Sequence, residues 1–291
     1  MKTSHLSMAC ATAAFVLIAL ATPDLGAQEV TSDESAQRRV LLIGDSHTQG
    51  AYGWALDYML RAGVDKTSVA TYAVCASSPI SWIKGHKHRC GSLTRKESHT
   101  PDKKSPGLVG RGLKIGTQRA PVIMSLLRQH KPDTVVIALG ENLKGMSPQR
   151  TRTSVSAMAK RLECYKRGVV TEDACRALDL ATKSVENELK CVWVLPHYSR
   201  SKGSPKSLER LYSTVKEGLG QTCQTIDSRP LTCKKGYEDS SFICDAPNYH
   251  LSPKRYRLWA IGTMEKLTEM LALPLVREGF IREIRTAWKF D

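Results

Sequence analysis

Aromatic residues make up only 6% of the chain, too few for the stacked platforms on which proteins hold single-stranded nucleic acid. The basic residues are interleaved with proline, glycine and serine instead, so nucleic acid is not the expected partner despite a formal net charge of +15. No closely spaced cysteine pairs of the zinc-ribbon kind occur, and no His/Cys/carboxylate spacing matches a zinc template, His86, His88 and His99 included. The glycine-rich Gly107-Leu108-Val109-Gly110-Arg111-Gly112 is not followed by the Lys-Ser/Thr of a phosphate-binding loop. Internal repeats and low-complexity tracts are also missing. No metal and no cofactor is therefore expected, and any chemistry must come from the chain's own side chains.

The first residues read as an export signal. Lys2 gives a positive start, Ala9 to Leu20 is an apolar stretch short for a bilayer span, and small residues allow cleavage after Ala21 or Ala27. The alternative is a retained anchor. Later segments do not reach transmembrane length, so a soluble, secreted or periplasmic mature protein is expected, with residues 1–27 removed. Residues 28–37 are polar and acidic and read as a disordered lead-in. Residues 38–291 read as one domain, large enough for a single substantial core.

Cysteine usage fits export. Apart from Cys10, the cysteines form an even set whose intervals suggest pairing between sequence neighbours: Cys75 with Cys90, Cys164 with Cys175, Cys191 with Cys223, and Cys233 with Cys244. The positive charge survives removal of residues 1–27, which carry one Lys and one Asp. It favours an anionic partner, for an exported protein an anionic envelope glycan; a solvated basic surface is the alternative.

Apolar strand-like runs alternate with helical patterns. Strands are expected at Val40 to Gly44, Ser68 to Val74, Thr134 to Leu139, Val192 to Leu195 and Gln224 to Asp227. Helices are expected at Ala51 to Ala62, Ala120 to His130, Thr151 to Lys166, Thr171 to Leu189, Pro205 to Leu219 and Pro253 to Leu271. This alternation implies an α/β three-layer sandwich, a central parallel sheet of about five strands covered by helices on both faces. Residues 82–118 interrupt it with a basic, Gly- and Ser-rich insertion lacking clear periodicity, read either as a substrate-facing flap or as a mobile insertion. In the tail, Leu275, Phe280, Ile281, Ile284 and Trp288 fall near helical spacing and should pack on the core.

Three segments carry reactive groups at strand ends. Val40-Leu41-Leu42-Ile43-Gly44-Asp45-Ser46-His47 is a strand that stops on a serine before an amphipathic helix, where a parallel sheet presents reactive side chains. Leu139-Gly140-Glu141-Asn142-Leu143 leaves the next buried strand at the same edge, and its amide can donate to an oxyanion. Cys244-Asp245-Ala246-Pro247-Asn248-Tyr249-His250-Leu251-Ser252 precedes the last long helix; His250 can serve as a general base, and Ser252 and Pro253 can cap that helix. His197, after another strand, is an alternative base, whereas His47 should diverge from Ser46 at the turn.

In this order, the three segments resemble the SGNH hydrolases, or GDSL-like esterases, from about Val40 to about Leu271. The Gly-Asp-Ser-His start and His-Leu-Ser ending look most like members associated with bacterial acyl modification of envelope polysaccharides. The resemblance implies a flavodoxin-like SGNH fold and a Ser-His-Asp acyl-enzyme mechanism. Ser46 would be the nucleophile, His250 the base and Asp245 its orienting acid, with the Ser46 and Ala76 N–H groups and the Asn142 amide forming the oxyanion hole. The pattern departs in three places. The acid lies five residues before the histidine, since Pro247 occupies the usual position three before it, and a backbone carbonyl is the alternative acceptor. Ala76 replaces a glycine, and Leu143 replaces an aspartate. The implied function is an exported esterase removing acyl groups, taken to be O-acetyl, from an envelope carbohydrate such as peptidoglycan. The alternatives are an O-acyltransferase using the same site or an inactive glycan-binding protein.

Overall fold

Two periodicities organise the chain: strands whose alternate residues face opposite layers, and helices that bury one stripe each. The computed structural model describes residues 37–97, 112–178, 186–197, 205–232 and 251–288, all within one compact unit. In chain order the elements are β1 (Arg38–Gly44), α1 (Ser46–Gln49), α2 (Ala51–Gly63), β2 (Thr67–Val74), α3 (Pro79–Lys84), β3 (Lys87–His88), β4 (Ser92–Arg95), β5 (Leu113–Lys114), β6 (Gln118–Arg119) and α4 (Ile123–His130). There follow β7 (Thr134–Ala138), a 3-10 turn (Glu141–Leu143), α5 (Pro148–Lys166), α6 (Glu172–Ala177), β8 (Lys190–Val194), α7 (Pro205–Leu219), β9 (Gln224–Ile226), α8 (Arg229–Thr232), α9 (Pro253–Leu271) and α10 (Phe280–Ala287).

The main sheet has seven strands in the order β5-β4-β2-β1-β7-β8-β9. Five of them, β2-β1-β7-β8-β9, are parallel, and β4 and β5 add an antiparallel edge beside β2. Counting only the parallel strands, the order is 2-1-3-4-5, that of flavodoxin-like folds, whose crevice opens between the first and third strands. Here that places the crevice at the carboxyl ends of β1 and β7.

Both sheet faces are covered, so the central strands are apolar over most of their length, with Thr71 and Thr134 the buried polar exceptions in β2 and β7. Leu41, Ile43, Tyr72, Val135, Ile137 and Trp193 face a core closed by α3, α4, α5 and α7. Val40, Leu42, Val69, Val136 and Val194 face a second core closed by α2, α9 and α10. The tail packs there as the sequence implied, through Phe280 and Ile284, and the Trp288 ring lies tilted against Trp54 with centroids 5.6 Å apart. Among the described residues no helix is long and apolar enough to cross a membrane.

Three disulfides link sequence neighbours as the intervals suggested: Cys75–Cys90, Cys164–Cys175 and Cys191–Cys223, with Cα–Cα separations of 5.5, 5.6 and 4.5 Å. Cys233 and Cys244 lie outside the described residues. Two expectations need correction. The sheet exceeds five strands because the insertion is not featureless: it begins inside α3 and contributes β3 to β6. These strands are two to four residues long, too short for alternation to register, and their pairing is set by partners distant in sequence. The helix expected over Thr171 to Leu189 ends at Ala177, where Leu178 turns extended, and 186–189 run without helix into β8. The Cys164–Cys175 bridge ties this short helix to α5.

Candidate active site

β1 delivers its last residues to the sheet's crevice and then breaks. Asp45 caps α1 from an extended conformation, its Oδ1 accepting the His47 N–H at 3.0 Å, so Ser46 opens α1 and remains partly exposed. The turn is tight enough to demand glycine before it, since a Cβ on Gly44 would lie 1.8 Å from Thr48 Oγ1. Gly50, extended, separates α1 from α2.

β2 ends beside it. Ala76 adopts φ +60°, a left-handed conformation that suits glycine better than alanine. The replacement is therefore not neutral: the backbone donor is kept, but the conformation is strained. The turn is braced by Cys75–Cys90 on one side and by Ser77 on the other. Ser77 Oγ accepts the Trp82 Nε1–H at 3.0 Å and lies 3.5 Å from the Gly44 carbonyl.

β7 supplies the third corner. Gly140 passes so close to Pro196 that a Cβ would stand 2.5 Å from its Cδ. The 3-10 turn after it projects Asn142, whose Nδ2 donates to the Ser77 carbonyl at 2.9 Å and lies 3.5 Å from Asp45 Oδ2. Asn142 thus touches the residue before Ser46 and the residue after Ala76. The three positions named from the sequence come together at the ends of adjacent strands β2, β1 and β7.

Behind this rim lies a cluster that sequence reasoning did not assemble. His47, Glu141 and His197 are buried, with one ligand-type atom of each within 4.8 Å of the others. His47 turns into the core, where its Nδ1 is 2.6 Å from the Tyr256 hydroxyl; its ring meets His197 edge-on at 4.9 Å. His197 is fully buried against Trp259. Each histidine stands 3.8 Å from Glu141 Oε2. The Lys144 ammonium lies 2.7 Å from that oxygen and donates to the His197 carbonyl at 2.9 Å, so the buried carboxylate is paired with the protein's own positive charge. The Glu-x-x-Lys spacing was the visible signal; the histidines join it only through strand order.

Asp45 is a strongly perturbed carboxyl at the rim. Burial pushes its carboxyl up to about 7, aided by the nearby Glu141 charge and opposed by backbone N–H donors at His47, Gly140 and Glu141. Burial likewise raises the Tyr52 and Tyr256 hydroxyls, keeping both neutral.

His250 and Asp245 lie outside the described residues. The residue that follows His250 does not: Leu251 is buried, and Ser252 caps α9 by accepting the Arg255 N–H at 3.4 Å, with Pro253 in the first helical turn. Leu251, Pro253 and Tyr256 share with Ser46 a pocket of about 460 Å³.

No protein-family model matches the chain, and no curated protein matches it. Among solved structures it is similar to a putative arylesterase from Agrobacterium tumefaciens str. C58, with 16% identity, coverage of 80% of this chain and 99% of the other, and a TM-score of 0.46. A carbohydrate acetylesterase from Sinorhizobium meliloti gives 15% identity, the same coverages and a TM-score of 0.48. The aryl esterase of M. smegmatis gives 15% identity, again 80% and 99%, and 0.46.

Proposed function

We propose that this protein is an exported serine esterase of the SGNH type, which removes acyl groups from an anionic carbohydrate of the cell envelope. The observation that carries the reading is the convergence at the sheet's crevice: a partly exposed serine on a strand-to-helix turn opens into a pocket beside an asparagine amide. That amide bonds both neighbouring turns, closely to the Ser77 carbonyl at 2.9 Å and more weakly to Asp45 Oδ2 at 3.5 Å, and the weaker bond is the one an oxyanion would replace. Such a group is anchored yet keeps donor capacity for a developing negative charge.

In this reading His250 takes the proton of Ser46, whose Oγ attacks the ester carbonyl carbon. The carbonyl π pair moves onto oxygen, which the Ser46 and Ala76 N–H groups and the Asn142 amide stabilise. Collapse expels the sugar oxygen, protonated by His250, and leaves an acyl-serine. Water, deprotonated by His250, then releases the carboxylic acid and restores the serine. Asp245, or a backbone carbonyl in its place, orients the imidazole. Three disulfides support folding outside a reducing cytosol, and the net charge of +15 suits an anionic polymer.

The test is labelling by a fluorophosphonate probe together with hydrolysis of p-nitrophenyl esters and of an acylated glycan. Ser46→Ala should abolish labelling and turnover, and Asn142→Ala should slow turnover on the order of a hundredfold. A Ser46→Ala protein with near-full esterase activity would overturn the assignment.

A further inference from the structure

The pocket that opens at Ser46 is larger and more apolar than acetyl transfer requires. Its walls are the α1–α2 junction at Gly50 and Ala51, the disulfide-bonded Cys75, Leu113 of β5, and Leu251 and Tyr256 at the start of α9. Of its polar groups, the Tyr256 hydroxyl is engaged by His47 at 2.6 Å, so the tyrosine offers its ring to the pocket; Gln49 is left at the rim. The cavity measures about 460 Å³. An acetyl methyl is comparable to a water molecule, roughly 30 Å³ in the liquid, and would leave most of that space to solvent.

Leu113 gives the inserted segment a purpose. It sits on a two-residue strand at the sheet's antiparallel edge, paired with Leu93 of β4. That edge is pressed against the nucleophile turn: a Cβ on Gly91, which precedes β4, would lie 2.4 Å from the Lys114 carbonyl oxygen and 3.1 Å from Gln49 Nε2. The β4–β5 edge thus places the apolar Leu113 side chain in the wall of the pocket that holds Ser46, within an insertion that is otherwise basic.

We propose that this pocket is an acyl-chain site, and that the enzyme prefers esters of medium-length fatty acids, about six to eight carbons, over acetyl esters. The inference rests on Ser46 being the nucleophile. Each methylene moved from water into the pocket should raise kcat/KM about fourfold until the pocket is full.

The experiment is a series of p-nitrophenyl acetate, butyrate, hexanoate and octanoate with the full chain, so that only the acyl group varies. The expected result is kcat/KM climbing from acetate to hexanoate or octanoate. In Leu113→Trp, which narrows the pocket, the octanoate-to-acetate ratio should fall tenfold or more; the series on the unaltered protein decides the question even if that variant does not fold. Ser46-dependent hydrolysis that is flat or falls from acetate onward would overturn the acyl site while leaving the esterase reading intact. The same holds if the rate follows the alcohol rather than the acid when the leaving group is changed. Absence of both hydrolysis and fluorophosphonate labelling would remove the two together.

Discussion

Asp45 offers a quantitative check on the electrostatics of the nucleophile turn. Its folded-state pKa of about 7 lies well above the 3.8 of an unperturbed carboxyl, first because of burial. The shift is upward, so the native state binds the proton more tightly than the unfolded chain does. Stability from this group is complete below the unfolded pKa and declines as pH rises through the folded value. At pH 5 the unfolded carboxyl has already ionised while the native one has not, a penalty of about 2 kcal/mol. By pH 8 the native group ionises too, and the penalty reaches about 4 kcal/mol. Asp45→Asn keeps an acceptor for the His47 N–H but cannot ionise. Its stability relative to the parent should therefore improve by about 2–3 kcal/mol between pH 5 and pH 8. Urea unfolding of both proteins at the two pH values, followed by circular dichroism, measures this, and titrations common to both cancel in the difference. A stability difference independent of pH would refute the claim that a desolvated carboxyl sits beneath Ser46.

Other parts of the rim are equally accessible to test. Ala76→Gly relieves the φ of +60° and, after the added entropy of the unfolded chain, should stabilise by about 0.5–1 kcal/mol, read as a rise in Tm, with turnover retained because the N–H remains. Replacing Cys75 and Cys90 by serine opens a bridge with a sequence separation of 15 and should cost about 3 kcal/mol. Mild reduction of the parent should lower turnover before near-ultraviolet circular dichroism changes, and coincident loss curves would count against a positioning role. Lys144→Met leaves the buried Glu141 carboxylate without its ammonium and should cost about 3 kcal/mol or more in urea unfolding, part of which Lys144→Met/Glu141→Gln recovers; a double variant whose loss equals the sum of the Lys144→Met and Glu141→Gln losses would show that the ion pair carries no coupling.

What the sequence discloses and what it hides follow from the length scale of each signal. β1 from Val40 and β7 from Val135 are buried on both faces and apolar throughout, and their abrupt exits at Asp45 and Gly140 mark where the chain turns polar. The reactive rim is legible for that reason: in a parallel sheet, exits of neighbouring strands meet at one edge whatever lies between them. β4 and β5 leave no such trace, because strands of four and two residues cannot show a period; β4 is selected by pairing with β2 and β5 by pairing with β4. The helix over Thr171 to Leu189 fails differently. A helical apolar pattern continues in the sequence past Ala177, but the chain must leave the helix in time to enter β8 extended.

The buried cluster behind the rim shows why side-chain partnerships are harder to foresee than strand exits. His47 and His197 lie 150 positions apart in the sequence, and each alone is an unremarkable residue after an apolar strand. They meet over Glu141 only because β1, β7 and β8 are consecutive in the sheet, an order that composition and periodicity do not encode. The same ordering sets Asn142 between Asp45 and Ser77. An asparagine that bonds two turns at once fixes their spacing, and an oxyanion hole needs fixed spacing more than it needs any single donor. Its two acceptors lie on the turns after β1 and β2, so loss of the Asn142 side chain should disturb the Ser46 and Ala76 donors as well as remove a third. On that account the penalties of Asn142→Ala and of a loosened Ala76 turn should be less than additive in kcat, whereas independent donors would give full additivity.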